Sequence, residues 1–319
     1  MRAFIFPGQG SQAVGMGAAL AEASAAARAV FQEVDEALGQ HLFRTMTQGP
    51  AEDLLLTENA QPAIMANAIA TLRVLEQEGG VRLADKADFV AGHSLGEYTA
   101  LCAADALDLS TTARLLKLRG RAMQAAVPVG EGAMAALLGA DLDKAKAIAG
   151  AALKAISAEG GGELVCAVAN DNDPSQVVIS GHRSAIERAV SLAKELGAKR
   201  AVLLPVSAPF HCSLMQPAAD AMDAALAAAD LRAPLVPLYC NVDAVAVADP
   251  GAIRALLVAQ VTGMVRWRES VLAMVEAGVT EFVEFGGKVL APMVKRIARD
   301  VEAASVVTMD DVDALVKRL

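Results

Sequence analysis

Aromatic side chains are scarce in this 319-residue sequence, where Phe, Trp and Tyr together make up 3%. Stacking-based capture of single-stranded nucleic acid needs an aromatic platform, so that class of function is excluded. Basic residues are also in the minority, 28 against 37 acidic, giving a formal net charge of −9. General binders of phosphate backbones carry the opposite balance, and no nucleic-acid partner is expected. Although hydrophobic residues reach 55% and mean hydropathy is +0.40, no uninterrupted apolar run attains the roughly 18 residues of a spanning helix. The Ala3–Phe6 run is far too short for a signal peptide. Cys102, Cys166, Cys212 and Cys240 lie dozens of residues apart with no C-x-x-C pair. Neither a zinc site nor a disulfide framework is suggested, no metal is expected, and a reducing, cytoplasmic setting without membrane association follows.

What is abundant is alanine, valine and leucine, a helix-rich economy of small side chains. The length suits one large domain, or a main domain carrying a smaller insert. Arg2 to Phe6 reads as a short buried strand ending at Pro7-Gly8-Gln9-Gly10. Helical periodicity follows from about Met16 to Leu38, and again from Pro62, placed at a first helical position, to a stop at Gly79-Gly80. Asp88 to Ala91 is a second strand, and further strands are expected near Leu238 and at Glu281 to Phe285. Short apolar strands alternating with helices predict an α/β fold with a mostly parallel sheet covered on both faces. Between about Val127 and Pro205 the pattern changes. Strands at Ala133–Leu138, Leu164–Asn170, Gln176–Ser180 and Lys199–Leu204, with helices at Asp141–Leu153 and Ser184–Leu196, give the βαββαβ order of a ferredoxin-like unit. The chain therefore divides into a discontinuous α/β domain, 1–126 with 206–319, interrupted by a small inserted domain, 127–205.

Gly92-His93-Ser94-Leu95-Gly96 matches G-x-S-x-G between a strand and a helix, the context in which that motif presents a nucleophilic serine. Glycines on either side let the backbone approach neighbouring segments and lift the hydroxyl to a helix N-terminus, whose free N–H groups suit a developing oxyanion. An ordinary glycine-flanked N-cap serine is the bland alternative. A serine needs a base, and the chain offers four histidines. His93 should diverge from its neighbour in a sharp turn, His41 lies in a polar stretch without a partner motif, and His182 follows a strand of the insert. His211, in Ser207-Ala208-Pro209-Phe210-His211-Cys212, sits where the insert returns to the main domain, a natural cleft wall, and is favoured. Cys212 is a weaker candidate nucleophile.

Two further features call for a role. In the helix from Ser110 to about Gln124, Arg114, Lys117 and Arg121 form one solvated stripe, whereas Arg119 falls about 140° from Arg114, between Leu115 and Met123. A guanidinium on an apolar face is rarely left without an anion, so either a protein carboxylate or a ligand carboxylate pairs it. Gly8-Gln9-Gly10-Ser11-Gln12-Ala13 fits a dinucleotide fingerprint, G-x-G-x-x-A, but Glu33 and Asp35, at the distance of the required acid, lie inside a helical pattern. The competing role is a loop beside the serine turn, with Gln9 lending an N–H or its amide.

Pro7-Gly8-Gln9-Gly10-Ser11-Gln12, Gly92-His93-Ser94-Leu95-Gly96-Glu97 and Pro209-Phe210-His211 together resemble the malonyl-CoA:acyl carrier protein transacylase family over nearly the whole chain. The resemblance implies an α/β-hydrolase-like catalytic domain with the ferredoxin-like insert, and transfer of a malonyl group from malonyl-CoA to acyl carrier protein in fatty acid biosynthesis, with no cofactor. It assigns Ser94 as nucleophile, His211 as base, the backbone N–H groups of Gln9 and Leu95 as oxyanion hole, Arg119 as partner of the malonyl carboxylate, and the Gln260 carbonyl as the group orienting the histidine. Phe210 resembles malonyl-selective members. Many members read Gly-Pro-Gly-Lys where this chain has Phe285-Gly286-Gly287-Lys288, which implies a different last wall to the acyl pocket. A serine esterase or thioesterase of α/β-hydrolase type is the rival, though no acidic residue is marked as the third triad member. An acidic carrier requires a basic docking surface, for which Lys295, Arg296 and Arg299 are candidates.

Overall fold

β1 (Arg2–Phe6) shows why the main sheet is buried on both faces. In the computed structural model, which describes residues 1–206 and 208–319 and leaves residue 207 of the 207–212 stretch outside the described residues, Ala3, Phe4, Ile5 and Phe6 are all fully buried. Phe4 and Phe6 point to one face and pack with the helices Ala25–Leu38, Thr57–Gln77 and Leu109–Ala125. Ala3 and Ile5 point to the other, against Trp267–Glu276 and Leu290–Ile297. The period of two thus feeds two separate cores, as a strand covered by helices on both sides must.

The remaining strands are β2 (Phe89–Gly92), β3 (Gly132–Leu138), β4 (Cys166–Asp173), β5 (Gln176–His182), β6 (Arg200–Leu203), β7 (Leu238–Tyr239), β8 (Ala246–Val247), β9 (Glu281–Phe285) and β10 (Glu302–Val306). The main sheet runs β10-β9-β1-β2-β7-β8. Every pairing in it is parallel except β7 with β8. β1 and β2 occupy its centre, so the loops at their carboxyl ends open at one sheet edge, where ligands of open α/β sheets bind. The second sheet, β4-β5-β3-β6, is antiparallel throughout and is covered by the helices Leu142–Ala158 and Arg183–Ala193 around its own apolar cluster. The expected α/β architecture, with a mostly parallel sheet and a βαββαβ unit, is therefore found.

Three local expectations are corrected. The long helix of Met16 to Leu38 is two, Ala18–Ala23 and Ala25–Leu38, because Ser24 adopts an extended conformation and its hydroxyl accepts from Ala27 N–H, starting a new helix. Pro62 does not open its helix but lies inside Thr57–Gln77. Lys117 is not part of a solvated stripe: it is buried, and its ammonium reaches Glu58 Oε2 at 3.0 Å and Asn59 Oδ1 at 2.8 Å. The helices Thr57–Gln77 and Leu109–Ala125 approach so closely that Lys117 falls between them. Gly120 sets that approach, since a Cβ there would meet Glu58 Cα at 2.6 Å.

The second sheet is clasped to the main one along β4. Val265 and Asn170 form a bridge, Arg268 pairs with Asp171 at 2.8 Å, and Arg296 pairs with Asp173 at 2.7 Å. Both aspartate side chains are fully buried. No helix is long and apolar enough to cross a membrane among the described residues.

Candidate active site

The turn after β2 is tight enough to need both of its glycines. A Cβ at Gly92 would lie 1.8 Å from Gly96 O, and one at Gly96 would lie 2.3 Å from Phe6 O. Between them Ser94 takes φ 54°, a left-handed conformation that costs a non-glycine residue of order 1–3 kcal/mol and persists where its surroundings enforce it. The enforcement is visible: Ser94 N–H donates to Asn241 Oδ1 at 2.8 Å, and Gln260 Nε2 donates to Ser94 O at 2.9 Å. Asn241, just beyond β7, also donates through Nδ2 to Gly92 O at 2.7 Å, so one amide ties both ends of the turn.

His211 is the histidine that meets this serine, with Nε2 2.8 Å from Ser94 Oγ. Its Nδ1 lies 2.8 Å from the backbone carbonyl of Gln260. A carbonyl only accepts, so Nδ1 carries the proton and Nε2 presents its lone pair to the serine hydroxyl. Burial, and then the charge of Arg119, push the imidazole down to about 3, which keeps it neutral at physiological pH, with the Nε2 lone pair free to accept. His211 is itself left-handed, at φ 57°. Pro209, two residues earlier, abuts Gly132 at the start of β3, where a Cβ would lie 2.4 Å from the proline ring. The other histidines are elsewhere occupied. His93 Nε2 bonds Asn172 Oδ1 at 2.8 Å, His182 Nδ1 accepts from Val165 N–H, and His41 is exposed at a helix start.

Arg119 is 1% exposed. It donates through Nη1 to Gln61 Oε1 at 2.9 Å and through Nη2 to Gln260 Oε1 at 2.8 Å and Ser94 Oγ at 3.1 Å, with its guanidinium carbon 5.7 Å from the Tyr98 ring centre. Among the described residues it forms no ion pair, and its Nε has no hydrogen-bond partner. Of the two partners left open by periodicity, a protein carboxylate is therefore not in contact with it. Burial lowers its proton affinity, but a guanidinium stays charged.

Ser94, His211 and Arg119 face a cavity of about 330 Å³, which Gln9 and Leu95 also line. Leu95 precedes the helix Gly96–Ala103, whose first N–H groups close the serine turn, Gly96 donating to His93 O at 2.9 Å and Glu97 to Ser94 O at 3.0 Å. The Gln9 loop is braced by its own side chains, Gly10 N–H donating to Gln12 Oε1 and Ser11 Oγ to Gly8 O. Apolar walls come from Met123, Met134, Leu204 and Phe210. Phe285-Gly286-Gly287-Lys288 is not a wall of this cavity. Gly286 lies against Ala68, where a Cβ would fall 2.5 Å from Cα, and Gly287 against Pro7. The departure from the family pattern thus lies against Ala68 and Pro7, outside the lining of this cavity.

Sequence reasoning missed Gln61 and Asn241, and gave Glu97 and the Gln260 side chain no role. Gln61 was detectable by the periodicity that singled out Arg119, being polar in a helix buried on nearly all sides. Asn241 follows a two-residue strand and carries no local signal.

The profile of the acyl transferase domain family matches residues 3–309. The malonyl CoA-acyl carrier protein transacylase of Escherichia coli strain K12 is 45% identical over 304 residues, 95% of this chain and 94% of that protein. That of Bacillus subtilis strain 168 is 42% identical over 318 residues, 99% and 96% of the two chains. Among solved structures, an acyl-carrier-protein-S-malonyltransferase from Bartonella henselae superposes with a TM-score of 0.94 at 51% identity, covering 99% of this chain and 98% of that one. A malonyl-transacylase solved in complex with its type II PKS acyl-carrier protein gives 0.93 at 38% identity, covering 100% and 99%. The chain belongs to the acyl transferase domain family and, within it, to the malonyl-CoA:acyl carrier protein transacylases.

Proposed function

We propose that this protein is an acyltransferase that moves a malonyl group from malonyl-CoA to the phosphopantetheine thiol of acyl carrier protein, through a malonyl-serine ester, in fatty acid biosynthesis. The observation that carries this reading is Arg119, a buried cation 3.1 Å from the Ser94 hydroxyl with no anion paired to it among the described residues. A neutral ester or thioester gives such a cation no purpose, so the hydrolase alternative is not favoured. A carboxylate on the acyl group gives it one, in charged hydrogen bonds worth roughly 1.5–3 kcal/mol each.

In this mechanism His211 Nε2 takes the Ser94 proton as Oγ attacks the thioester carbonyl, with Gln260 O holding the imidazolium through Nδ1. Charge developing on the carbonyl oxygen is met by the N–H groups of Leu95 and Gln9. Coenzyme A leaves with the proton returned by His211. The carrier thiol then gives its proton to the same nitrogen and attacks the ester, and Ser94 leaves with that proton returned to Oγ, so the kinetics are ping-pong. Residues 127–205 form an inserted domain within a discontinuous domain of 1–126 with 206–319, a division supported by the separate sheet and its own apolar core. Free, buried thiols at all four cysteines suit a reducing, cytoplasmic compartment.

Docking of an acidic carrier calls for a basic rim. Of the candidate trio, Lys295 donates to the carbonyls of Arg299 and Val301 and Arg296 pairs with Asp173, so this run is first a clasp of the fold, with Arg299 left exposed. The test of the whole reading is radiolabelled malonyl-CoA. A stable protein-bound ester that passes its label to acyl carrier protein, and that is absent from Ser94→Ala, is expected. Rapid release of free malonate would identify a hydrolase.

A further inference from the structure

Glu97 is the remaining carboxyl of the site. It is 1% exposed, and it does not touch Arg119. Its Oε1 accepts from Asn241 N–H at 3.0 Å and its Oε2 from Gln260 Nε2. The Gln260 amide cannot turn over, because Arg119 offers only donors to its oxygen and Ser94 O offers only an acceptor to its nitrogen. The amide therefore stands between guanidinium and carboxyl with its dipole aligned to both, and the two charges are joined through it without Glu97 blocking the cation. Ionised, Glu97 balances Arg119. An acyl carboxylate arriving on Arg119 would leave one net negative charge in a buried site, unless a proton enters with it.

We propose that Glu97 is a positioning residue that, in its ionised state, balances Arg119 through the Gln260 amide in the empty site, and takes up one proton from solvent when an acyl carboxylate pairs with Arg119. The inference rests on the transacylase reading above. The step forms no bond beyond the O–H on Glu97: a carboxylate and a proton enter together, and the charge of the site is unchanged. Two donors on its two oxygens favour the carboxylate, while burial works against it and pushes the group up to about 8, so both states are within reach of ordinary buffers. Other titratable or charged groups face it from each neighbouring element: Arg119 on the Leu109–Ala125 helix, Tyr98 on its own helix, Cys240 after β7, and His211 across Gln260.

The experiment is calorimetry of malonyl-CoA and acetyl-CoA binding to Ser94→Ala, which cannot be acylated, in two buffers of different ionisation enthalpy between pH 6.5 and 9. At pH 8.5 to 9 malonyl-CoA is expected to carry in close to one more proton than acetyl-CoA. The difference should vanish toward pH 6.5, where Glu97 is already protonated. Above about pH 8 malonyl-CoA affinity should fall close to tenfold per pH unit relative to acetyl-CoA. Ser94→Ala/Glu97→Gln should abolish both effects. Equal proton uptake with the two ligands overturns the proposal, and does so without any Glu97 variant having to fold. Excess uptake that survives Glu97→Gln also overturns it, by placing the proton on His211. Failure of malonyl-CoA to bind at all, together with failure to label the unaltered enzyme, would remove the transacylase reading itself; binding without the extra proton removes only the linkage.

Discussion

A single guanidinium decides which acyl group this site accepts. Arg119 is held by Gln61 and Gln260, not by a carboxylate, so its charge is available to a ligand. Arg119→Ala is expected to lower kcat/KM for malonyl transfer by about 10²-fold or more while sparing or raising acetyl transfer, at roughly 1.5–3 kcal/mol per charged hydrogen bond lost. Equal losses with both acyl-CoA substrates would make the arginine structural. His211 carries a second prediction. Its imidazole is pushed down to about 3 by burial and by Arg119, and protonation of Nε2 would remove the acceptor for the serine proton. On the acid side, activity is thus lost only as pH falls toward that value, and the kcat/KM profile for malonyl-CoA should show no acid limb between pH 7 and 5. An acid limb near 6.5, the ordinary histidine value, would contradict the burial argument.

Elements carry these residues to one place through close approaches that glycine permits. Gly120 lets the Leu109–Ala125 helix lie against Thr57 and Glu58, which brings Arg119 to Gln61. Gly120→Ala should force the helices apart and cost about 1–3 kcal/mol in urea unfolding, with a parallel loss of malonyl transfer. Gly150, exposed within Leu142–Ala158 and with nothing within 4 Å of its would-be Cβ, is the counterexample. Gly150→Ala should stabilise by about 0.5–1 kcal/mol through helix propensity and leave activity unchanged. The phase of Arg119 on its helix was legible in the sequence because helical period depends on near neighbours alone. The burial of Lys117 was not: the same wheel placed it with Arg114 and Arg121, and only the neighbouring helix covers it.

At the scale of the molecule, the site lies between two sheets that are held together mainly along β4. Arg268 and Arg296 answer two fully buried aspartates there, and Asp171 N–H donates to Val265 O at 2.9 Å. Arg268→Ala leaves the Asp171 carboxylate buried without its partner. Because Arg268 is itself partly exposed, the expected cost is about 1–3 kcal/mol, below that of a fully buried pair, with faster amide exchange at Asp171 and Val265. Unchanged protection at both amides would show that the clasp does not depend on the charge pair. Met134 and Asn170 reach the cavity from the second sheet and Leu204 from just beyond β6, so loosening this contact should raise KM for malonyl-CoA more than it lowers kcat.

The serine turn, the strand and helix alternation, the βαββαβ order and the inward arginine were all determined by the sequence itself, because each is a matter of steric tolerance or periodicity among residues a few positions apart. Tertiary structure decided the rest. Ser94 meets His211 across 117 positions, and Arg119 meets Gln260 across 141. Which tautomer the histidine adopts, which amide ties the turn, and whether the arginine finds a protein anion depend on where the sheet order β1-β2-β7 sets its loop ends. Hydrogen bonds are directional and short-ranged, so no local pattern encodes a partner that only the completed sheet brings within 3 Å.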